Sequence, residues 1–90
     1  MPTLEQDAIA TELRAFLCRN FLFTAQAFPV GDEASLIEEG IIDSLGIMEL
    51  VSFVEGRYGL SVADQELLPE NFDSVAQLSA FVLRKLPLLV

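Results

Sequence analysis

From Leu4 to about Phe21 the apolar positions Ile9, Leu13, Phe16, Leu17 and Phe21 recur at steps of three and four residues, the spacing that gathers side chains on one face of a helix. Glu5, Asp7, Glu12, Arg14 and Arg19 fall largely away from that stripe, acids first and arginines last, as the helix dipole favours. A first helix is predicted over about 4–21. The stripe Ile47, Leu50, Val51, Val54 and Tyr58 predicts a second over 44–58, capped by Asp43 and stopped by Gly59 and Leu60. Ser74 and Gln77 stand at capping-box spacing ahead of Val75, Leu78, Phe81, Val82 and Leu86, which predicts a last helix over 74–86, with Arg84 and Lys85 near its end and Pro87 after it. "VADQELLP" predicts a short third helix over 63–68. No stretch alternates with period two, so strands are not expected. The pattern reads as an all-α, irregular helical bundle.

The segment 22–42 fits no single element. It contains Pro29 and Gly31, then the apolar pairs Leu36–Ile37 and Ile41–Ile42. A connection of about twenty residues is long for a compact domain. Its apolar residues predict that it lies along the bundle and covers one side, with a turn near 34–38.

Ninety residues make one domain, 1–90, with one modest core. Fourteen acidic residues against five basic give a net charge of −9. Nucleic acids and anionic membranes are poor partners for such a chain, because both require clustered Lys and Arg. Basic patches on other proteins suit it better. The first residues, "MPTLEQDAIA", are acidic and polar rather than signal-like, so a cytoplasmic protein is expected; a monomer is expected as well. Cys18 is the one cysteine. It reads as a small buried residue, without an intrachain disulfide or a cysteine-based metal framework.

Histidine is absent, which removes the commonest general base and any Ser–His–Asp arrangement. No glycine-rich phosphate loop or EF-hand-like acidic run is present, so no metal site is expected. Glu38–Glu39 and Glu49–Glu55 read as solvated surface acids sooner than as acid–base pairs. The chain is poorly equipped to be an enzyme by itself.

Attention therefore falls on "EEGIIDSLGIMELV", residues 38–51. With the core stripe of the second helix assigned, Ser44, Leu45, Met48, Glu49, Ser52 and Glu55 lie on or beside its opposite face. Leu45 and Met48 are either an exposed docking pair rimmed by Asp43, Glu49 and Glu55, or ordinary packing under the long loop. Charge reversal at Glu49 and Glu55 is expected to slow partner association with little change in stability. Ser44 is either part of a helix cap with Asp43, or an attachment point whose anion the helix N-terminus favours. On this second reading Gly46 removes bulk beside the hydroxyl.

Here the sequence resembles the acyl carrier proteins, over nearly the whole chain. "LIEEGIIDSLGIMELVSFVEGRYGLSV" is similar to that family's apolar–acidic–Gly approach, its "DSL", its recognition helix and its Gly-terminated exit, and "PENFDSVAQLSAFV" to its last loop and fourth helix. The resemblance implies a four-helix bundle with a long first loop and a short third helix. It implies that Ser44 carries 4'-phosphopantetheine, installed from coenzyme A by a phosphopantetheinyl transferase, and that the arm holds acyl groups as thioesters. The implied partners are acyl-loading, condensing and modifying enzymes with basic docking patches, in a fatty acid, polyketide or related pathway. Asp43, Leu45, Met48 and Glu49 match positions that partners contact in the family. Gly46 stands where many fatty-acid carriers have an acid, Glu55 is what remains of their run of acids at the end of the second helix, and "GIIDSL" does not match the peptidyl carriers' Gly–Gly–His/Asp–Ser. These departures point to a discrete carrier of a specialised pathway. An aminoacyl carrier of the D-alanyl type and an unmodified helical interaction module are the alternatives. The tail "PLLV" is apolar without an evident reason.

Overall fold

The computed structural model describes residues 4–22 and 28–86. Its elements are α1 (Leu4–Leu17), continued by one π-helical turn (Cys18–Leu22), α2 (Ser44–Tyr58), a 3-10 turn (Asp64–Glu66), α3 (Pro69–Phe72) and α4 (Val75–Lys85). Among the described residues there is no strand. The fold is the all-α, carrier-like arrangement that the periodicity and the resemblance led to expect.

The apolar stripes meet in one core. Ile9, Leu13 and Leu17 of α1, Leu50, Val51 and Val54 of α2, and Val75, Leu78, Phe81 and Val82 of α4 are all buried there. Phe16, Phe21, Ile47, Tyr58 and Leu86, expected on the same stripes, are half-buried at its margin. Cys18 is buried.

Regular α1 stops earlier than the periodicity implies. The Asn20 side chain donates to the Phe16 carbonyl at 3.0 Å, competing for a backbone acceptor where the helix widens into the π turn. The third helix is corrected more substantially. The 3-10 turn ends at Glu66, and α3 begins only at Pro69. Proline suits the first position of a helix, where no N–H is needed, but forces the residue before it into extended backbone. Leu68, at φ −117° and ψ 146°, obeys that rule, so no helix runs through 68 into 69.

The caps follow the sequence closely. Gly59 ends α2 in the left-handed region (φ 68°) and donates to the Glu55 carbonyl, with Leu60 buried behind it. At the head of α4 the Gln77 N–H donates to Ser74 Oγ at 3.0 Å. The reciprocal half of the box is altered, since Ser74 Oγ–H donates to Gln77 Oε1 at 3.2 Å.

Polar ties hold the helices in register. Tyr58 OH donates to Glu12 Oε1 at 2.6 Å and Arg57 Nε to Glu12 Oε2 at 2.9 Å, which fastens the end of α2 to the middle of α1. Glu12 is held below the ordinary carboxylate value, chiefly by the Tyr58 hydrogen bond and also by Arg57. Burial and the neighbouring carboxylate push the Tyr58 hydroxyl well up. Arg14 pairs with Asp32 of the first loop, and Lys85 with Glu66.

That loop is ordered where it is described. Leu36 is fully buried, and Ile41 and Ile42 nearly so. The turn expected at 34–38 lies one step on, where the Glu39 N–H donates to the Ser35 carbonyl at 2.9 Å. Gly40, at φ 75°, supplies the left-handed residue that turns the chain back toward α2. The tail 87–90 lies outside the described residues.

Candidate functional site

Asp43 adopts extended backbone (φ −118°, ψ −169°) and is the N-cap of α2. Its Oδ1 accepts the Gly46 N–H at 2.9 Å, and its carbonyl accepts the Ile47 N–H at 3.2 Å. The capping role therefore falls to Asp43. Ser44 is the first helical residue, and its side chain is exposed. The hydroxyl stands at the positive end of a 15-residue helix, free of any packing duty.

Gly46 has a different purpose from the one read in the sequence. It is buried, and a Cβ built there would lie 2.9 Å from Ile42 Cβ and 3.1 Å from Phe21 Cε1. The missing side chain admits the loop and the π turn against the first turn of α2, and does not clear space around Ser44.

The outward face of α2 decides the second question. Leu45 is 75% exposed and Met48 52%, so neither packs under the loop. Glu49 and Ser52 are exposed beside them. Glu55 differs from these residues. It is half-buried, and its Oε2 accepts the Val62 N–H at 2.9 Å, which ties down the segment after α2. Reversing its charge cannot leave stability untouched, contrary to expectation. Three of the five basic side chains, Arg14, Arg57 and Lys85, are engaged in internal ion pairs. The exposed apolar pair is thus edged by Asp43 and Glu49, with no basic residue on α2 before Arg57. Such a face complements a basic surface.

Among the described residues, two concavities border α2. On one side an open groove of about 470 Å³ is lined by Phe16, Asn20, Met48, Glu49, Ser52 and Phe53. Its floor is built on Phe16 and Phe53, stacked with centroids 4.2 Å apart. On the other side a cleft of about 130 Å³ is lined by Ile37, Ile47, Leu67, Leu68, Pro69 and Phe72, all apolar. Ile47, three residues on from Ser44, is the residue of α2 that lines this cleft. Sequence reading missed it. The one available signal was the pair Leu36–Ile37, of which a loop lying on a core can bury only one member, and Ile37 is 47% exposed.

Among the described residues no group of three or more His, Cys, Asp or Glu is placed to hold a metal ion. None of their helices is long and apolar enough to cross a membrane.

The family model described as a phosphopantetheine attachment site matches residues 10–82. The chain belongs to the phosphopantetheine-binding carrier family. Domains of this family carry 4'-phosphopantetheine covalently and are not themselves catalytic. Aminoacyl carrier protein 2 of Bradyrhizobium diazoefficiens is 31% identical over 81 residues, covering 90% of this chain and 85% of that one. A solved chain from a "Crystal structure of FAD-dependent dehydrogenase" superposes with a TM-score of 0.66 at 30% identity, covering 78% of this chain and 97% of that one. The geometry at the head of α2 fits a covalent arm: an exposed hydroxyl, on a capped helix start, beside an exposed apolar and acidic face.

Proposed function

We propose that Ser44 Oγ is the attachment atom and that the chain carries acyl groups as thioesters between partner enzymes. The observation that carries this reading is the exposure of Ser44 at a helix start already capped by its neighbour, inside the matched region. Ser44 Oγ would displace the adenosine bisphosphate half of coenzyme A, forming a phosphodiester and giving up its proton in a reaction that a separate transferase catalyses. When bound, the arm supplies a terminal thiol that holds cargo as an activated thioester. Asp43 fixes the backbone under the hydroxyl. Leu45 and Met48 offer apolar contact, and Glu49 with Asp43 steers basic partners. Glu55 supports that face from beneath by holding the segment after α2.

A specialised acyl pathway is the first reading of the cargo. An aminoacyl cargo is the second, favoured by the printed name of the Bradyrhizobium relative and by the size of the apolar cleft that borders α2. At about 130 Å³ that cleft is well below the roughly 300–1,000 Å³ of sites that enclose drug-sized ligands. It suits a short side chain better than a long acyl chain. The solved chain's origin supports a flavin-dependent dehydrogenase among the enzymes that modify the tethered cargo. The acidic character of the chain and the absence of a membrane-crossing helix among its described residues support an encounter in the cytoplasm.

The test is an intact mass before and after incubation with coenzyme A and a broad-specificity phosphopantetheinyl transferase. A gain of one phosphopantetheine, absent in Ser44→Ala, supports the reading. No gain from folded protein with active transferase overturns it, and leaves an unmodified interaction module.

A further inference from the structure

The loop that leads into Ser44 is fastened at Asp73, the residue that follows α3 and precedes Ser74, the cap of α4. Ser35 Oγ–H donates to Asp73 Oδ2 at 2.6 Å, the Ile37 N–H to Oδ1 at 3.1 Å, and the Leu36 N–H to the Asp73 carbonyl at 2.7 Å. Ser35 Oγ in turn accepts the Glu38 N–H at 3.1 Å. The Leu36 carbonyl accepts the Ile41 N–H at 2.9 Å and the Ile42 N–H at 3.3 Å. Ile42 is followed directly by the cap Asp43 and by Ser44. An unbroken series of bonds therefore joins Asp73 to the approach to Ser44.

Asp73 also stands between two walls of the apolar cleft. Phe72, its chain neighbour, is buried and lines one wall, while Ile37, whose N–H it holds, lines another. Burial does little to fix Ile37, which is 47% exposed, and residues 38–40 after it are exposed too. The core anchors Leu36, but the placement of the next residue rests on the carboxylate. Bonds to an ionised acceptor are the stronger kind, and two of the three are made to carboxylate oxygens.

We propose that Asp73 is a positioning residue for the attachment site: by holding Ser35 and Ile37 it sets the Ile37 wall against Phe72, and with it the loop that presents Ser44 to the transferase. This inference rests on the reading of Ser44 as the attachment residue. Losing the latch loosens the loop without touching the reacting atoms, so binding should weaken while the chemical step stays intact. A residue that only stabilised the fold would not produce that split.

The experiment combines native-state amide hydrogen exchange on the arm-free protein with steady-state kinetics of arm transfer from coenzyme A. The variants are Asp73→Ala, Asp73→Asn, Ser35→Ala and the Asp73→Ala/Ser35→Ala double, with the core variant Val82→Ala as a control for general destabilisation. In Asp73→Ala the Ile37 amide should exchange about tenfold faster or more, beyond any change in the core amides of α1 and α4. KM for the carrier should rise about threefold or more with kcat within about twofold of wild type. The double variant should fall short of the sum of the two singles, since the Ser35–Asp73 bond is lost in both. Asp73→Asn, which keeps an acceptor for Ile37, should recover part of the loss.

An unchanged KM in Asp73→Ala overturns the proposal, as does a rise no larger than that of an equally destabilised Val82→Ala. If Asp73→Ala does not fold, Asp73→Asn and Ser35→Ala must show the same split in smaller measure, and its absence there overturns the proposal. Wild-type protein that accepts no arm refutes the reading of Ser44 instead, and removes the function that the latch was proposed to serve. The exchange result then separately shows whether Asp73 holds the loop.

Discussion

Asp43 holds Gly46: its Oδ1 accepts the Gly46 N–H at 2.9 Å, and the glycine so held lies against Ile42 and Phe21. That relationship divides the labour at the head of α2. The residues before and two after Ser44 are committed to folding, and Ser44 itself is left to solvent.

Gly46→Ala should destabilise the protein although alanine is the better helix former. Propensity favours alanine by about 1 kcal/mol, whereas forcing a methyl into a filled site costs typically about 1–3 kcal/mol. The contact is with Ile42 Cβ, the rigid base of a side chain, which cannot swing away. A net loss of about 1 kcal/mol is expected by urea denaturation, and a gain in stability would refute the close-approach account.

Leu45→Ala and Met48→Ala should shift stability by no more than about 0.5 kcal/mol, because both side chains are exposed. Each should nevertheless raise KM in arm transfer or in a partner's turnover. Parallel denaturation and kinetics distinguish this from packing residues, which would lose stability first.

Glu49→Lys and Glu55→Lys should part company. Glu49 is exposed, so its reversal should slow association at low salt and leave the melting point unchanged. Glu55→Lys removes the acceptor of the Val62 N–H and should cost about 1–3 kcal/mol. Equal melting points for the two variants would contradict this assignment.

The same residues show what the sequence could and could not convey. Helix stripes, the Gly59 stop and the Ser74 cap were legible because each depends on neighbours three or four positions away. The expected third helix, 63–68, took in Leu68, which Pro69 holds extended, and left out 69–72, where α3 forms. Gly46 was misread because its constraint comes from Phe21, about twenty-five residues distant, and no local rule reveals a close approach across the fold. The Asp73 latch and the cleft were invisible for the same reason, since they join the loop to a corner more than thirty residues on. Ser44, by contrast, stood out through its motif, and the structure adds its exposure and its capped setting.

Acid should loosen the tie between α1 and α2. The Tyr58 hydroxyl and Arg57 hold Glu12 below its ordinary value of 4.5, so the folded state takes up this proton less readily than the unfolded chain. The resulting stability is present above that value and is lost as pH falls through it toward the lower folded pKa. Melting temperatures measured from neutral pH down to about pH 3 should fall less steeply in Glu12→Gln than in wild type. Identical slopes would show that the contact contributes nothing. Tyr58 works in the opposite sense: its raised pKa makes its contribution complete below the ordinary tyrosine value of 10.0 and lost in stronger alkali.

The central claim is that the arm belongs on Ser44, and peptide-level mass spectrometry tests it most directly. Protein incubated with coenzyme A and transferase would be digested, and the peptide spanning "IIDSLGIMEL" fragmented. The account predicts that this peptide alone carries the phosphopantetheine mass, with the fragment series placing it on Ser44. The same mass on another residue, such as Ser35, Ser52 or Ser74, or retained in full by Ser44→Ala, would contradict it.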